Sequence, residues 1–186
     1  MLDFMEKKLE KGFMNISQTE IQIRLAILSD VPAITEIYNE AVLNGVATFD
    51  TEIKSLEDRS KWFQLRAENN PVIVAIVSDD VVGWASLNAW SERAAYNKTA
   101  EVSIYIHKNF RARGIGSLLF KSLLKTAEEV NLHYLLSRIT EGNQVSIDLH
   151  LKNGFSIIGV MHEVGFKFGK FLDVTLMEKV LMKNNE

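Results

Sequence analysis

Residues Phe110 to Leu124, FRARGIGSLLFKSLL, set two arginines and two glycines in front of an apolar run with helical spacing. Gly114 and Gly116 lack Cβ atoms and permit backbone angles closed to other residues. The first amides of a helix opening there have no acceptor inside the helix, and the aligned peptides carry about half a positive charge at that end. Arg111 and Arg113 add full charges, so the corner can cradle a phosphate. A tight strand-to-helix turn with a solvated basic patch is the other reading of the same residues. It is not a nucleotide P-loop, because no Gly-Lys-Ser/Thr follows. Nor is it a dinucleotide fingerprint, because Leu119 stands where the third glycine would be.

Two further residue types bear on proton transfer. Glu101 interrupts an apolar stretch, TAEVSIYI, immediately upstream. Alternation puts Glu101, Ser103 and Tyr105 on one face and Val102, Ile104 and Ile106 on the other. Glu101 is a candidate base; an exposed strand carboxylate is the plainer alternative. His150, in LHLKNGF, can donate a proton near neutral pH, or can be a half-buried helix histidine with one hydrogen bond. His107, His133 and His162 are dispersed and no H-E-x-x-H spacing occurs, so no metal is expected.

Elements must bring these residues together. Ile21 to Leu28 alternates as a strand, and Ser29 or Asp30 opens a helix with Pro32 in its first turn. Ser55 starts a second helix. Val72 to Val77 and Val81 to Trp90 form a hairpin around Asp79-Asp80. Ala100 to Ile106 is a strand, and the helix after Gly114 runs to about Val130 with Leu119, Leu123, Ala127 and Val130 on one face. Tyr134 to Thr140 is a strand, Val145 to Lys152 a helix, and Phe155 to His162 and Leu172 to Lys179 the last strands. The order is β-α-α-β-β-β-α-β-α-β-β, an α/β (α+β) chain with a mixed sheet and helices on its faces.

Composition sets bounds on this picture. The 186 residues are 47% apolar with a net charge of −3, which suits one domain over 21–186 behind an N-terminal extension of residues 1–20. Leu2, Met5 and Leu9 give that extension the spacing of a short amphipathic helix. Charges of both signs are dispersed, so neither a nucleic acid nor a membrane is an expected partner. No cysteine is present, which excludes disulfides and a cysteine nucleophile. No apolar run approaches the roughly 18 residues of a membrane span, and a cytoplasmic protein is expected.

Arg111-x-x-Gly114-x-Gly116, after a strand and opening a helix, resembles the acetyl-coenzyme A motif of the GNAT N-acetyltransferase superfamily. NQVSIDLHLKNGF (Asn143 to Phe155) resembles the superfamily's second cofactor segment. TFDTE (Thr48 to Glu52), WSERAAYNKTAEVSIYI (Trp90 to Ile106) and GFKFGKFLDV (Gly165 to Val174) resemble its phosphinothricin acetyltransferase-like branch. The likeness spans Ile21 to Leu181.

The resemblance implies a mostly antiparallel sheet in which the strands Glu101–Ile106 and Tyr134–Thr140 splay apart around a pantetheine arm. Acetyl-CoA is the implied co-substrate. Its pyrophosphate would meet the amides of Arg113, Gly114, Ile115, Gly116 and Ser117, and its arm would pair with the backbone of Ile104, Tyr105 and Ile106. Asn143 would contact the arm or cap the following helix. Glu101 is implied as the base, acting through water, and His150 as the acid for the leaving thiolate. A backbone N–H near Ile106 would serve the oxyanion. For an amino-acid-like acceptor, Arg93 is the implied carboxylate partner, with Phe49, Trp84, Trp90 and Tyr96 as pocket walls. Lys170-Phe171 departs from the branch pattern. Asp173 is read as structural or at a subunit contact, and Lys167 and Lys170 as solvated. The implied function is direct acetyl transfer to the primary amine of a phosphinothricin, methionine sulfone or methionine sulfoximine type of acceptor, by a homodimer. Acetylation of a protein N-terminus or a polyamine, and a non-catalytic CoA-binding module, are the alternatives.

Overall fold

A computed structural model of the chain describes residues 21–181. The helix expected in Met1 to Gly12 lies outside them. The first strand, β1 (Gln22–Leu25), is shorter than its alternation predicts. The cause is buried Asp30. Its carboxylate takes both amino groups of Arg24 at 2.6 and 2.9 Å and the Ile27 N–H at 2.8 Å, which draws Leu28–Asp30 into a 3-10 turn. Helix α1 (Val31–Asn44) follows, with Pro32 in its first turn. Helix α2 (Leu56–Gln64) is capped by the Ser55 hydroxyl, which accepts the Asp58 N–H at 3.1 Å.

Strands β2 (Val72–Val77) and β3 (Asp80–Ala89) form the expected hairpin, with Ser78 and Asp79 at positive φ in its turn. Strand β4 (Thr99–Ile106), helix α3 (Ile115–Glu129), strand β5 (Tyr134–Thr140) and helix α4 (Gln144–Lys152) come next. The chain closes with β6 (Ser156–Lys167) and β7 (Lys170–Val180). Strand β6 passes well beyond the predicted end at His162. The alternation is hidden there by a bulge between Met161 and Gly165, in which Glu163 has a φ of 52° and its N–H is held by Asp173 at 2.8 Å.

The seven strands lie in the order β1-β2-β3-β4-β5-β7-β6, and every neighbouring pair is antiparallel except β4 and β5. Ile73, Ala85, Leu87 and Ala100 on one face pack under α3 through Leu119, Phe120, Leu123 and Ala127. Val72, Val74 and Trp84 on the other face pack against α1 through Ile34, Ile37 and Val42. This is the expected mixed sheet with helices on both faces. Among the described residues no helix is long and apolar enough to cross a membrane.

Candidate active site

Strands β4 and β5 pair over three rungs only: Thr99 with Tyr134, Ala100 with Leu135, and Glu101 with Leu136. Beyond Glu101 they part. The β4 edge from Val102 onward has no strand on that side, and backbone groups without a partner must find one in a ligand or in water. The fork opens a cleft of about 560 Å³ whose wall includes Ile104, Tyr105, Ser137, Thr140, Asn143 and His150.

At one end of the cleft wall β4 turns into α3. Gly114 sits there in the left-handed region at φ 81°, a conformation that favours glycine. Its carbonyl accepts the Leu118 N–H at 3.2 Å, the first bond of the helix, and leaves the amides of the first turn without helical partners. At Gly116 an added Cβ would come no nearer than 3.9 Å to Leu149, so internal packing does not require glycine; its bareness leaves room at the helix mouth. The two arginines behave differently from each other. Arg111 donates to the Ile106 carbonyl at 3.1 Å and pairs with Glu40, clamping the turn onto α1. Arg113 lies 5.2 Å from the Phe110 ring centre and has no acidic partner among the described residues. Asn143 caps α4 by accepting the Ser146 N–H at 3.3 Å and also lines the cleft.

Glu101 occupies the last rung before the fork and lines the cleft. Its carboxylate is held by Arg138 of β5 through two bonds of 2.7 Å. Arg138 is absent from the sequence expectations. The signal was a lone cation inside the apolar strand YLLSRIT.

His150 is 3% exposed, with Phe120 and Phe155 edge-on at 4.6 and 4.9 Å. Its Nδ1 lies 2.7 Å from the Ser146 carbonyl, an acceptor, so the proton is on Nδ1 and the neutral ring carries a lone pair at Nε2. Nε2 is buried without a partner. Burial lowers the pKa, against the opposing pull of the Ser146 bond. The resting His150 therefore accepts at Nε2, whereas sequence reasoning cast it as a donor.

One side of the cleft is built by the loop between α1 and α2. Phe49 lines the cleft. Its ring sits where a side chain on Gly165 would be: an added Cβ would fall 2.2 Å from Phe49 Cε2. Tyr38 lines the same wall, exchanges a hydrogen bond with Thr48 at 2.9 Å and donates to Asp50 at 2.7 Å. Burial is the main cause that pushes the Tyr38 phenol up to about 12. Burial also pushes Asp50 upward, but its hydrogen bonds from Lys54 and Tyr38 outweigh this and hold it below the usual range.

Lys167, Trp84, Arg93, Tyr96 and Trp90 stand differently from the sequence expectations. Lys167 is not solvated: it is 3% exposed and donates to the carbonyls of Gly45 and Thr48 at 2.8 Å each, locking the Phe49 loop onto β6. Trp84 is a core residue rather than a pocket wall, 2% exposed and stacked on Tyr105 at 4.7 Å. Arg93 and Tyr96 lie exposed around the 3-10 turn after β3, outside the cleft wall, because the chain there leads away from the fork before returning as β4. Trp90 is 40% exposed and reaches the site only through Arg138, whose guanidinium carbon lies 5.7 Å from its ring centre. Asp173 is structural, holding the β6 bulge and pairing with His162 at 2.8 Å.

The chain matches the model of the acetyltransferase (GNAT) domain over residues 23–176. It is 38% identical over 158 residues to an L-methionine sulfoximine/L-methionine sulfone acetyltransferase of Pseudomonas paraeruginosa, covering 84% of this chain and 92% of that one. It is 34% identical over 167 residues to an L-amino acid N-acyltransferase of Escherichia coli strain K12, covering 89% and 97%. The structure of a phosphinothricin acetyltransferase from Sinorhizobium meliloti in complex with AcCoA superposes with a TM-score of 0.83 at 33% identity, over 87% of this chain and 89% of that one. The fork, the bare helix mouth and the left-handed glycine of this chain fit such a ligand. The chain belongs to the GNAT family of N-acetyltransferases, and its relatives lie in the phosphinothricin acetyltransferase-like branch.

Proposed function

We propose that this enzyme acetylates the primary amine of a small amino-acid-like acceptor, of the methionine sulfone or phosphinothricin type, by direct attack within a ternary complex. Bound acetyl-CoA supplies an acyl group activated as a thioester. The observation that carries the reading is Glu101 at the last paired rung of β4 and β5, so that a carboxylate stands where the cleft begins. An ammonium ion has no lone pair and must lose a proton before attack; Glu101, directly or through one water, takes it. The unpaired β4 backbone at Ile104, Tyr105 and Ile106 adds the arm of the co-substrate as a further strand. The amides of Ile115, Gly116 and Ser117 receive its phosphates, with Arg113 adding charge. Phe49 and Tyr38 bound the acceptor side. The tetrahedral adduct carries a surplus proton on the attacking nitrogen; as the C–S bond breaks, the Nε2 lone pair of His150 takes that proton and returns it to the departing CoA thiolate.

The enzyme works as a homodimer in this reading. Strand β6 is a sheet edge, and Ile157, Val160, Val164 and Phe166 on it, with Phe168 and Phe171 beside them, are about half exposed. An apolar sheet edge of this kind calls for cover.

Free-thiol release from acetyl-CoA, measured across amino acids, their sulfone and phosphinic analogues, polyamines and short peptides, tests the function. Turnover confined to small amino acids is the expected result. Turnover confined to polyamines or peptides replaces the acceptor class, and binding of acetyl-CoA without turnover of any amine removes the catalytic reading.

A further inference from the structure

The wall of the cleft contains two carboxylates, Glu101 and Asp50, and among the described residues a single Lys or Arg, which is Arg138. Its guanidinium uses Nε and Nη2 to hold Glu101 at 2.7 Å on both bonds. It also lies 5.7 Å from the Trp90 ring centre, so one face is backed by an aromatic surface. Nη1 has no partner among the described residues, and the side chain is 51% exposed. A guanidinium offers five N–H donors in a rigid plane. One edge of that plane is therefore taken and the adjacent Nη1–Nη2 edge is open, held in orientation by the bonds on the first. Among the described residues of the wall, Arg138 is the side chain that carries a permanent positive charge.

An α-amino acid carries its carboxylate one carbon from its amine. We propose that Arg138 is the specificity-determining residue of the acceptor site. Its open edge takes the acceptor's α-carboxylate in a two-bond contact while its other edge keeps Glu101, so that the amine is delivered on the Glu101 side. This rests on the amino-acid reading of the acceptor given above. It places carboxylate recognition on β5, at the fork, and not on the exposed Arg93. Two carboxylates then share one cation across adjacent edges, which the planar guanidinium allows and the point charge of a lysine does not.

The test compares kcat/KM for methionine sulfone and for its carboxamide in the wild type, Arg138→Ala and Arg138→Lys, with acetyl-CoA affinity measured in parallel. The wild type is expected to favour the free acid on the order of 100-fold, a preference worth a two-bond charged contact. Arg138→Ala should bring the acid-to-amide ratio close to one, chiefly by raising KM for the acid, with acetyl-CoA affinity unchanged. Arg138→Lys should recover only part of the ratio. If Arg138 merely orients Glu101, its loss lowers kcat for acid and amide alike and leaves the ratio intact, which overturns the inference. Wild-type turnover of the acid with no preference over the amide also overturns it, while leaving amino-acid acetylation in place. Silence of the wild type toward both overturns the acceptor reading and this inference with it.

Discussion

Glu101 is held by a cation on the neighbouring strand, and its neighbours Val102 and Ala100 belong to the core under α3. Replacing it with glutamine keeps the shape and removes the base. Glu101→Gln is expected to lower kcat by about 10²- to 10⁴-fold while acetyl-CoA affinity stays within about twofold. Thiol-release kinetics with a parallel binding titration check this, and a kcat within a factor of a few of the wild type would count against the assignment. His150 makes a separate prediction about stability. Its folded pKa lies below the usual 6.5, because burial penalises the charged ring. The unfolded chain therefore binds a proton at His150 that the folded chain resists, and stability is lost as pH falls through 6.5 toward the lower folded value. At pH 8 the ring is neutral in both states and contributes no slope. His150→Phe removes this slope, so its Tm relative to the wild type should rise steadily between pH 7 and pH 5 in melts followed by circular dichroism.

Two elements position the reacting groups, and each depends on one glycine. At the mouth of α3, Gly114 is left-handed at φ 81°. A β-branched side chain there costs about 1–3 kcal/mol of backbone strain and re-aims the first-turn amides. Gly114→Val is expected to weaken acetyl-CoA binding by at least about tenfold, measured by calorimetry at a temperature where circular dichroism shows the fold intact; unchanged affinity would remove the cradle. In the second element, β6 supports the Phe49 loop through Lys167 and through the bare Gly165. Gly165→Ala places a methyl group where the Phe49 ring now lies, and overpacking of this kind costs about 1–3 kcal/mol. The ring is the mobile partner and gives way into the cleft. Acceptor KM should rise by about tenfold with acetyl-CoA affinity unchanged, because a small displacement at a reacting site is enough to lose orientation. An equal loss for both substrates would indicate general unfolding instead.

At the scale of the whole molecule, the sheet has one fork and one long apolar edge. The fork lies between β4 and β5, which share three rungs and are the one parallel pair among the described strands. The edge is β6, twelve residues long and bulged near its end. Light scattering is expected to give twice the chain mass. Val160→Lys combined with Phe171→Glu should return it to the chain mass by placing charge on this apolar face. A wild type that stays at the chain mass at high concentration removes the dimer. The Phe49 loop and β6 join distant parts of the chain, so a change at the dimer face that disturbs β6 is also expected to raise acceptor KM.

Local spacing carried much of this architecture. The alternation in TAEVSIYI, the short apolar strand YLLSRIT, the helical period after Gly114 and the caps at Ser55 and Asn143 were legible in the sequence, because each depends on residues a few positions apart. The arginine-glycine corner was legible for the same reason: strand, turn and helix mouth are contiguous. Tertiary structure alone decided what crosses the sheet. Glu101 meets Arg138 across 37 positions, and Lys167 reaches Thr48 across 119. Those pairings follow from the register of β4 on β5 and from a bulge in β6, and neither leaves a local periodic trace. The same cause explains the misplaced residues. Trp84 and Arg93 stand close to the expected segments in sequence, but the pleat turns Trp84 into the core and the turn after β3 carries Arg93 away from the fork. Composition and spacing determined the elements and the arginine-glycine corner; the packing of the sheet decided which charges share the cleft, because partners in space are chosen by register rather than by distance along the chain.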